Sequence, residues 1–301
     1  MNSRFFKQVL CMVLAAILIT ISSIVWASPV QADDFNCYER GNSGKCSEPL
    51  LATSCNQPTN SKFRCCEGVD KDYHIVSPTD RNSDVTVLAI HGGHIEPYTS
   101  EISQDLADIY KWNYYIFSGH GRKQCLKGLK GSHEEKNFKR LHITSTHFNH
   151  KIALDLVAAH PKSVSIHGYN PERRKYDKGV ICVGGKNKKQ VNAFIEHVKA
   201  NSSTFTSSDG YELNPIDATD PEKSLCVDLE GTRKCNIVNR NCKGKGLQLE
   251  LSYGMRMDLA NKNEVRFNTL RSLIYGAIKE AMDIESSSCS EAMGTELSNC
   301  P

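Results

Sequence analysis

From about residue 72 onward, short apolar runs rich in β-branched residues alternate with segments of helical periodicity, and this alternation limits the folds open to the chain. Val85 to Ile90 is too short for a helix and apolar enough to be buried on both faces, so it predicts an interior strand. Thr99 to Lys111 follows with Ile102, Leu106 and Ile109 at helical spacing, and Asn113 to Phe117 is aromatic and strand-like. The order continues with a helix over Asn149 to His160, strands over Ser163 to Ile166 and Val180 to Val183, and a helix holding Val191 to Val198. Leu247 to Leu251 predicts another strand, and Glu264 to Ile284 a long amphipathic helix. The pattern implies an α/β fold, a single domain with a mostly parallel mixed sheet flanked by helices. Nothing repeats internally and no long linker intervenes, so one domain over residues 67–285 is expected.

The sequence before that domain sets a compartment. Arg4 and Lys7 precede an almost wholly apolar stretch from Val9 to Ala27, and Val30-Gln31-Ala32 offers small residues suited to signal-peptidase cleavage. Residues 1–32 read as a signal peptide, with secretion and no stable membrane association after cleavage as the consequence. The apolar stretch is also long enough to serve as an uncleaved anchor.

Cysteine usage agrees with export. Of 13 cysteines, Cys11 leaves with the leader and an even number remains. No paired C-x-x-C spacing suggests a zinc finger, so disulfides are expected. Residues 33–66, with Cys37, Cys46, Cys55, Cys65 and Cys66, read as a Cys-rich extension pinned by disulfides. Residues 286–301 form a tail carrying Cys289 and Cys300. Cys182, inside an apolar strand, reads as the cysteine most suited to remain a free buried thiol.

Lys and Arg total 37 against 34 Asp and Glu, and the leader takes two of the basic residues with it. A near-neutral chain is not a general nucleic-acid binder, and its local basic clusters lack the interleaved aromatics that stack bases. Those clusters are Arg122 to Arg140, Arg173 to Lys178 and Lys186 to Lys189. They read either as solvated loops or as a basic rim that concentrates a polyanion.

Three of the expected strands end in residues able to bind a metal or move a proton. One runs into His91-Gly92-Gly93-His94-Ile95-Glu96, one ends at His167-Gly168, and one reads Gln248-Leu249-Glu250-Leu251-Ser252. The carboxyl ends of strands in open α/β sheets face the ligand crevice. A hydrolytic zinc ion takes three His or carboxylate ligands and keeps one open position. His91 and Glu96 are close enough for one tight turn, which Gly92-Gly93 permits, to aim both at one ion; His167 would complete the set. These residues also read as turn and core groups. Glu250 alternates with Leu249 and Leu251, either as the wet face of an edge strand or as a carboxylate facing the site and moving a proton. His94 competes with His91, and His142, His147 and His150 compete for the pocket wall.

Six blocks then occur in order: A-I-H-G-G-H-I-E-P (89–97), L-H-I-T-S-T-H-F (141–148), S-I-H-G (165–168), V-G-G-K-N (183–187), N-I-V-N-R (236–240) and G-L-Q-L-E-L-S-Y-G-M-R (246–256). Together they resemble the phage-type poly-γ-glutamate hydrolases, over roughly residues 70 to 283. The resemblance implies a zinc carboxypeptidase-like fold, Zn2+ held by His91, Glu96 and His167, and Glu250 as general base. It further implies an arginine for the substrate carboxylate or oxyanion: Arg240 with Asn239 beside it, or the competing Arg256. The implied substrate is poly-γ-glutamate or a similar polyanionic glutamyl polymer or peptide, cut at its amide bonds by a monomer. A peptidase acting on other substrates and a non-catalytic secreted binding protein are the alternatives. The chain departs from the family in its export signal and its many cysteines.

Overall fold

The computed structural model describes residues 36–40, 46–51, 73–78, 81–119, 141–174, 178–205, 211–220, 224–264, 267–284, 288–289 and 300. Strands β1 (Asn36–Arg40) and β2 (Cys46–Leu51) pair antiparallel in a sheet of their own. The main sheet comprises β3 (Tyr73–Val76), β4 (Val85–Gly93), β5 (Asn113–Gly119), β6 (Lys162–Tyr169), β7 (Val180–Gly184), β8 (Asn214–Asp217) and β9 (Leu247–Ser252). Its order is β3-β5-β4-β6-β9-β7-β8. Four of the pairings are parallel, and only β3 with β5 and β7 with β9 run antiparallel. This is the single α/β domain with a mostly parallel mixed sheet that the alternation predicts.

The helices are α1 (Thr99–Tyr110), α2 (Lys151–Ala158), α3 (Pro171–Arg174), α4 (Lys188–Asn201), α5 (Tyr253–Ala260) and α6 (Phe267–Asp283). Period-2 alternation sorts the strand residues onto two faces. Val85, Val87, Val164, Ile166, Ile181, Leu247, Leu249 and Leu251 point into a core shared with α1, α4, α5 and α6. Leu88, Ile90, Tyr115 and Phe117 point the other way, into a smaller core closed by α2 with Ile237 and Val238. Cys182 lies on this second side in a third cluster with Tyr169, Ile216 and Cys226.

Three elements carry weak sequence signals. The four-residue β3 sits on the sheet edge. β8, at the opposite edge, contains Pro215, which edge strands tolerate. Ser252 ends β9 and also caps α5, its side chain accepting from Met255 N–H, so strand passes into helix without a loop.

Cys182 is not a free thiol. Its sulfur lies 1.99 Å from that of Cys226, because strand β7 and the 224–226 turn face each other across the third cluster. Cys235 pairs with Cys300 and Cys242 with Cys289. The expected leader and the pairings of the N-terminal cysteines lie outside the described residues.

Candidate metal centre and active-site cavity

The three strands singled out for polar carboxyl ends, β4, β6 and β9, are consecutive in the sheet. Their ends therefore open side by side onto one cavity of about 1460 Å³, lined among others by His91, Glu96, His142, His167, Glu250 and Arg256.

Local irregularity brings His91 there. Ala89 pairs with Ile116 and Gly92 with Ser118, so β4 holds one residue more than β5 between the same rungs. Strict alternation would send His91 to the face of Val87 and Ala89. The bulge re-aims it towards His167, which lies on the opposite face to Val164 and Ile166. The chain then turns at Gly93 (φ 65°), where a Cβ would come 2.4 Å from the Gly119 carbonyl, so both space and conformation demand glycine. The Glu96 N–H donates back to the His91 carbonyl (2.7 Å), which returns the carboxylate to the imidazole.

His91, Glu96 and His167 are buried, and each offers a ligand atom within 4.8 Å of the others. Nδ1 of His91 lies 2.9 Å from Oε1 of Glu96 and 3.1 Å from Nδ1 of His167. The far side of each ring is committed: His91 Nε2–H donates to the Ile143 carbonyl (2.7 Å), and His167 Nε2 meets Ser165 Oγ (2.8 Å). Both rings thus present Nδ1 to the carboxylate, and their orientation is fixed by outer hydrogen bonds of the kind that support metal ligands. The second carboxylate oxygen, Glu96 Oε2, accepts from Gly168 N–H (2.8 Å).

The electrostatics follow from this crowding. Burial pushes the Glu96 carboxyl up, but His91, His167 and a hydrogen bond from His142 outweigh it and hold the group well below the usual carboxylate range. Burial drives His91 down to about 4, against the pull of Glu96. For His167 burial also lowers the pKa, yet Glu96 and Glu250 raise it above the ordinary value. Two imidazoles and one carboxylate converging with orienting partners fit Zn2+ with an open position.

Glu250 is buried and interior, not on an edge strand: β9 lies between β6 and β7. It pairs in register with His167, so the two side chains share a face at adjacent strands. Its Oε1 accepts from Gln248 Nε2 (3.0 Å).

The two arginines separate. Arg256, on α5, is buried, lines the cavity and donates to the Pro97 carbonyl (2.8 Å). It passes so close to Gly168 that a Cβ there would sit 2.1 Å from its Cζ. Arg240 is not among the lining residues. Its guanidinium donates to the carbonyls of Cys235 (3.0 Å) and Thr146 (3.4 Å), so it braces the cavity wall from behind. Asn239 acts similarly, donating to the carbonyls of Gly231 and Arg233. At N-I-V-N-R both Asn239 and Arg240 thus hold backbone carbonyls, whereas Arg256 lines the cavity.

Among the competing histidines, His142 lines the cavity with Nε2 3.4 Å from Glu96 Oε1, and His94 and His147 line it too. His150 is buried at the start of α2 against Tyr115 instead. Of the basic clusters, Lys178 reaches the cavity, whereas Lys186, Lys188 and Lys189 do not, and Lys188 pairs with Asp217. Arg122 to Arg140 lie outside the described residues. Ser165, Asn236 and the Ile143 carbonyl are partners that sequence reading missed; the i, i+2 spacing of Ser165 and His167 was the available signal for the first.

The chain is similar to known proteins in sequence and fold. The family model described as poly-gamma-glutamate hydrolase matches residues 62–276. The SPbeta prophage-derived UPF0714 protein YoqZ of Bacillus subtilis (strain 168) is 32% identical over 189 residues, 63% of this chain and 56% of the relative. The chain thus spans under two thirds of that relative's length. A solved bacteriophage poly-gamma-glutamate hydrolase superposes with TM-score 0.52 at 26% identity, covering 72% of this chain and 93% of that one. A zinc-free apo structure of YNDL gives 0.51 at 28% identity, covering 70% and 91%. With the family match running over well more than half of its length, the chain belongs to the poly-gamma-glutamate hydrolase family.

Proposed function

We propose that this chain is a secreted, zinc-dependent hydrolase that cleaves amide bonds of poly-γ-glutamate. The observation that carries the reading is the convergence of His91, Glu96 and His167 with Glu250 in register beside them, in one cavity. Family membership supports hydrolysis of a glutamyl polymer. Export is supported by the basic start and apolar run of residues 4–27 and by the cysteine pairs, which suit an oxidising compartment.

Zinc held by His91, Glu96 and His167 would polarise the scissile carbonyl and acidify water at neutral pH. The side chains supply the rest. Glu250 accepts the proton of the attacking water as the new C–O bond forms, then delivers it to the nitrogen as the amide C–N bond breaks. Arg256 directs positive charge into the cavity, where it steadies the oxygen that gains charge or a neighbouring substrate carboxylate. Lys178 and Arg233 add positive charge to the lining, alongside Glu172, Asp228 and Glu230.

Purified protein incubated with poly-γ-glutamate should release shorter glutamyl chains, and a chelator should stop it until zinc is restored. Ordinary α-linked peptides serve as the control. Cleavage of those peptides alone, or chelator-resistant turnover, would overturn the reading.

A further inference from the structure

The blocks N-I-V-N-R and Q-L-E-L-S belong to different elements, and a line of side-chain amides joins them. The Val238 backbone N–H donates to Asn236 Oδ1 (3.1 Å). Asn236 Nδ2 donates to Gln248 Oε1 (2.8 Å), and Gln248 Nε2 donates to Glu250 Oε1 (3.0 Å). All three side chains are buried. The polarity of this line is fixed by the backbone at both ends. A peptide N–H can only donate, so Asn236 must turn its oxygen to Val238 and its NH2 to Gln248. Gln248 must then turn its oxygen to Asn236 and its NH2 to Glu250. The Leu229 carbonyl, 3.3 Å from Gln248 Nε2, can only accept and demands the same orientation. Gly231 closes over the amide, since a Cβ there would sit 2.6 Å from Gln248 Oε1.

We infer that Asn236 and Gln248 are positioning residues for the Glu250 carboxylate, a role that rests on Glu250 serving as the base. One carboxylate oxygen is tied to an amide that cannot rotate, so the side chain keeps a single orientation beside His167. Without Asn236 only the longer contact to the Leu229 carbonyl opposes inversion of the Gln248 amide, which would turn its oxygen towards a carboxylate.

Asn236→Asp tests this with little change of shape, because it keeps an oxygen for Val238 N–H and loses the donor to Gln248. Gln248→Met removes the link at similar volume. Each should lower kcat on poly-γ-glutamate about 10- to 100-fold, the scale expected of a misplaced reacting group, with KM within twofold and zinc content unchanged. Because Asn236 acts through Gln248, the double variant should be no slower than the slower single one. Single variants with kcat within twofold of the parent, or losses that multiply in the double variant, overturn the proposal. A second readout needs no turnover. The Gln248 side-chain amide, identified in nitrogen-15 NMR spectra by its loss in Gln248→Met, should be protected from exchange and should shift in Asn236→Asp. Rapid exchange in the parent protein would refute the link, whereas a parent inactive on poly-γ-glutamate with a protected amide would refute only the substrate.

Discussion

At the level of single residues, the chemistry depends on which atoms carry protons. His91 is kept neutral down to about pH 4 by burial, so it is ready to act as a ligand across the physiological range. His167 is the opposite case, its pKa raised by Glu96 and Glu250 over the lowering effect of burial. A raised histidine pKa favours the folded metal-free protein at low pH, and that contribution is lost as pH rises through the raised value. Zinc must displace the same proton. Zinc affinity should therefore climb about tenfold per pH unit below the His167 pKa and level off above it, as measured by competition with a chelating dye. A flat profile between pH 5 and 8 would show that His167 is not a ligand. Glu250→Gln should reduce kcat by about 10²- to 10⁴-fold, the usual range for general acid–base groups, while a zinc assay still finds the metal bound.

At the level of elements, two irregularities build the site out of an otherwise regular sheet. The bulge in β4 brings His91 across to the face of His167 and Glu250. The absence of a side chain at Gly168 lets Arg256 cross β6 and reach Pro97. Gly168→Ala places a methyl group inside the guanidinium, so the arginine must move. The expected result is a loss of kcat/KM of roughly 10²-fold, comparable with removal of one charge-stabilising donor, and a stability cost of about 1–3 kcal/mol from overpacking. Steady-state kinetics and urea melts check both. An alanine variant with unchanged kinetics would remove Arg256 from the reaction.

At the level of the whole molecule, the described disulfides converge on one stretch. Cys226, Cys235 and Cys242 all fall between β8 and β9, in the segment whose Asp228 to Arg233 and Asn236 line the cavity. One bond ties this wall to strand β7 beside Glu250, since Cys182 pairs in register with Glu250; the other two tie it to the C-terminal tail. The loop-entropy model assigns about 4 kcal/mol to closing a loop of the Cys182–Cys226 length. Reduction should consequently lower the melting temperature by several degrees and raise KM before the protein unfolds. Calorimetry and kinetics with and without reductant test it; equal KM in both states would mean that the bonds stabilise the fold without shaping the cavity.

Sequence alone determined the alternation of strands and helices, the polar ends of three strands, and the residue types that suit a zinc ion, because periodicity and local composition reflect backbone geometry that repeats within each element. His91, Glu96, His167 and Glu250 were legible in that way, and the six ordered blocks pointed to the family. Other matters were decided across elements. The face on which His91 lies depends on one extra residue relative to β5, the partner of Cys182 depends on where the 224–226 turn packs, and the carbonyls that Arg240 and Arg256 meet depend on how their segments pack against the sheet. The line from Asn236 to Glu250 likewise exists only once β9 and the 236–240 segment are packed together. Such contacts are set by register and packing between distant stretches, for which a local pattern carries no information.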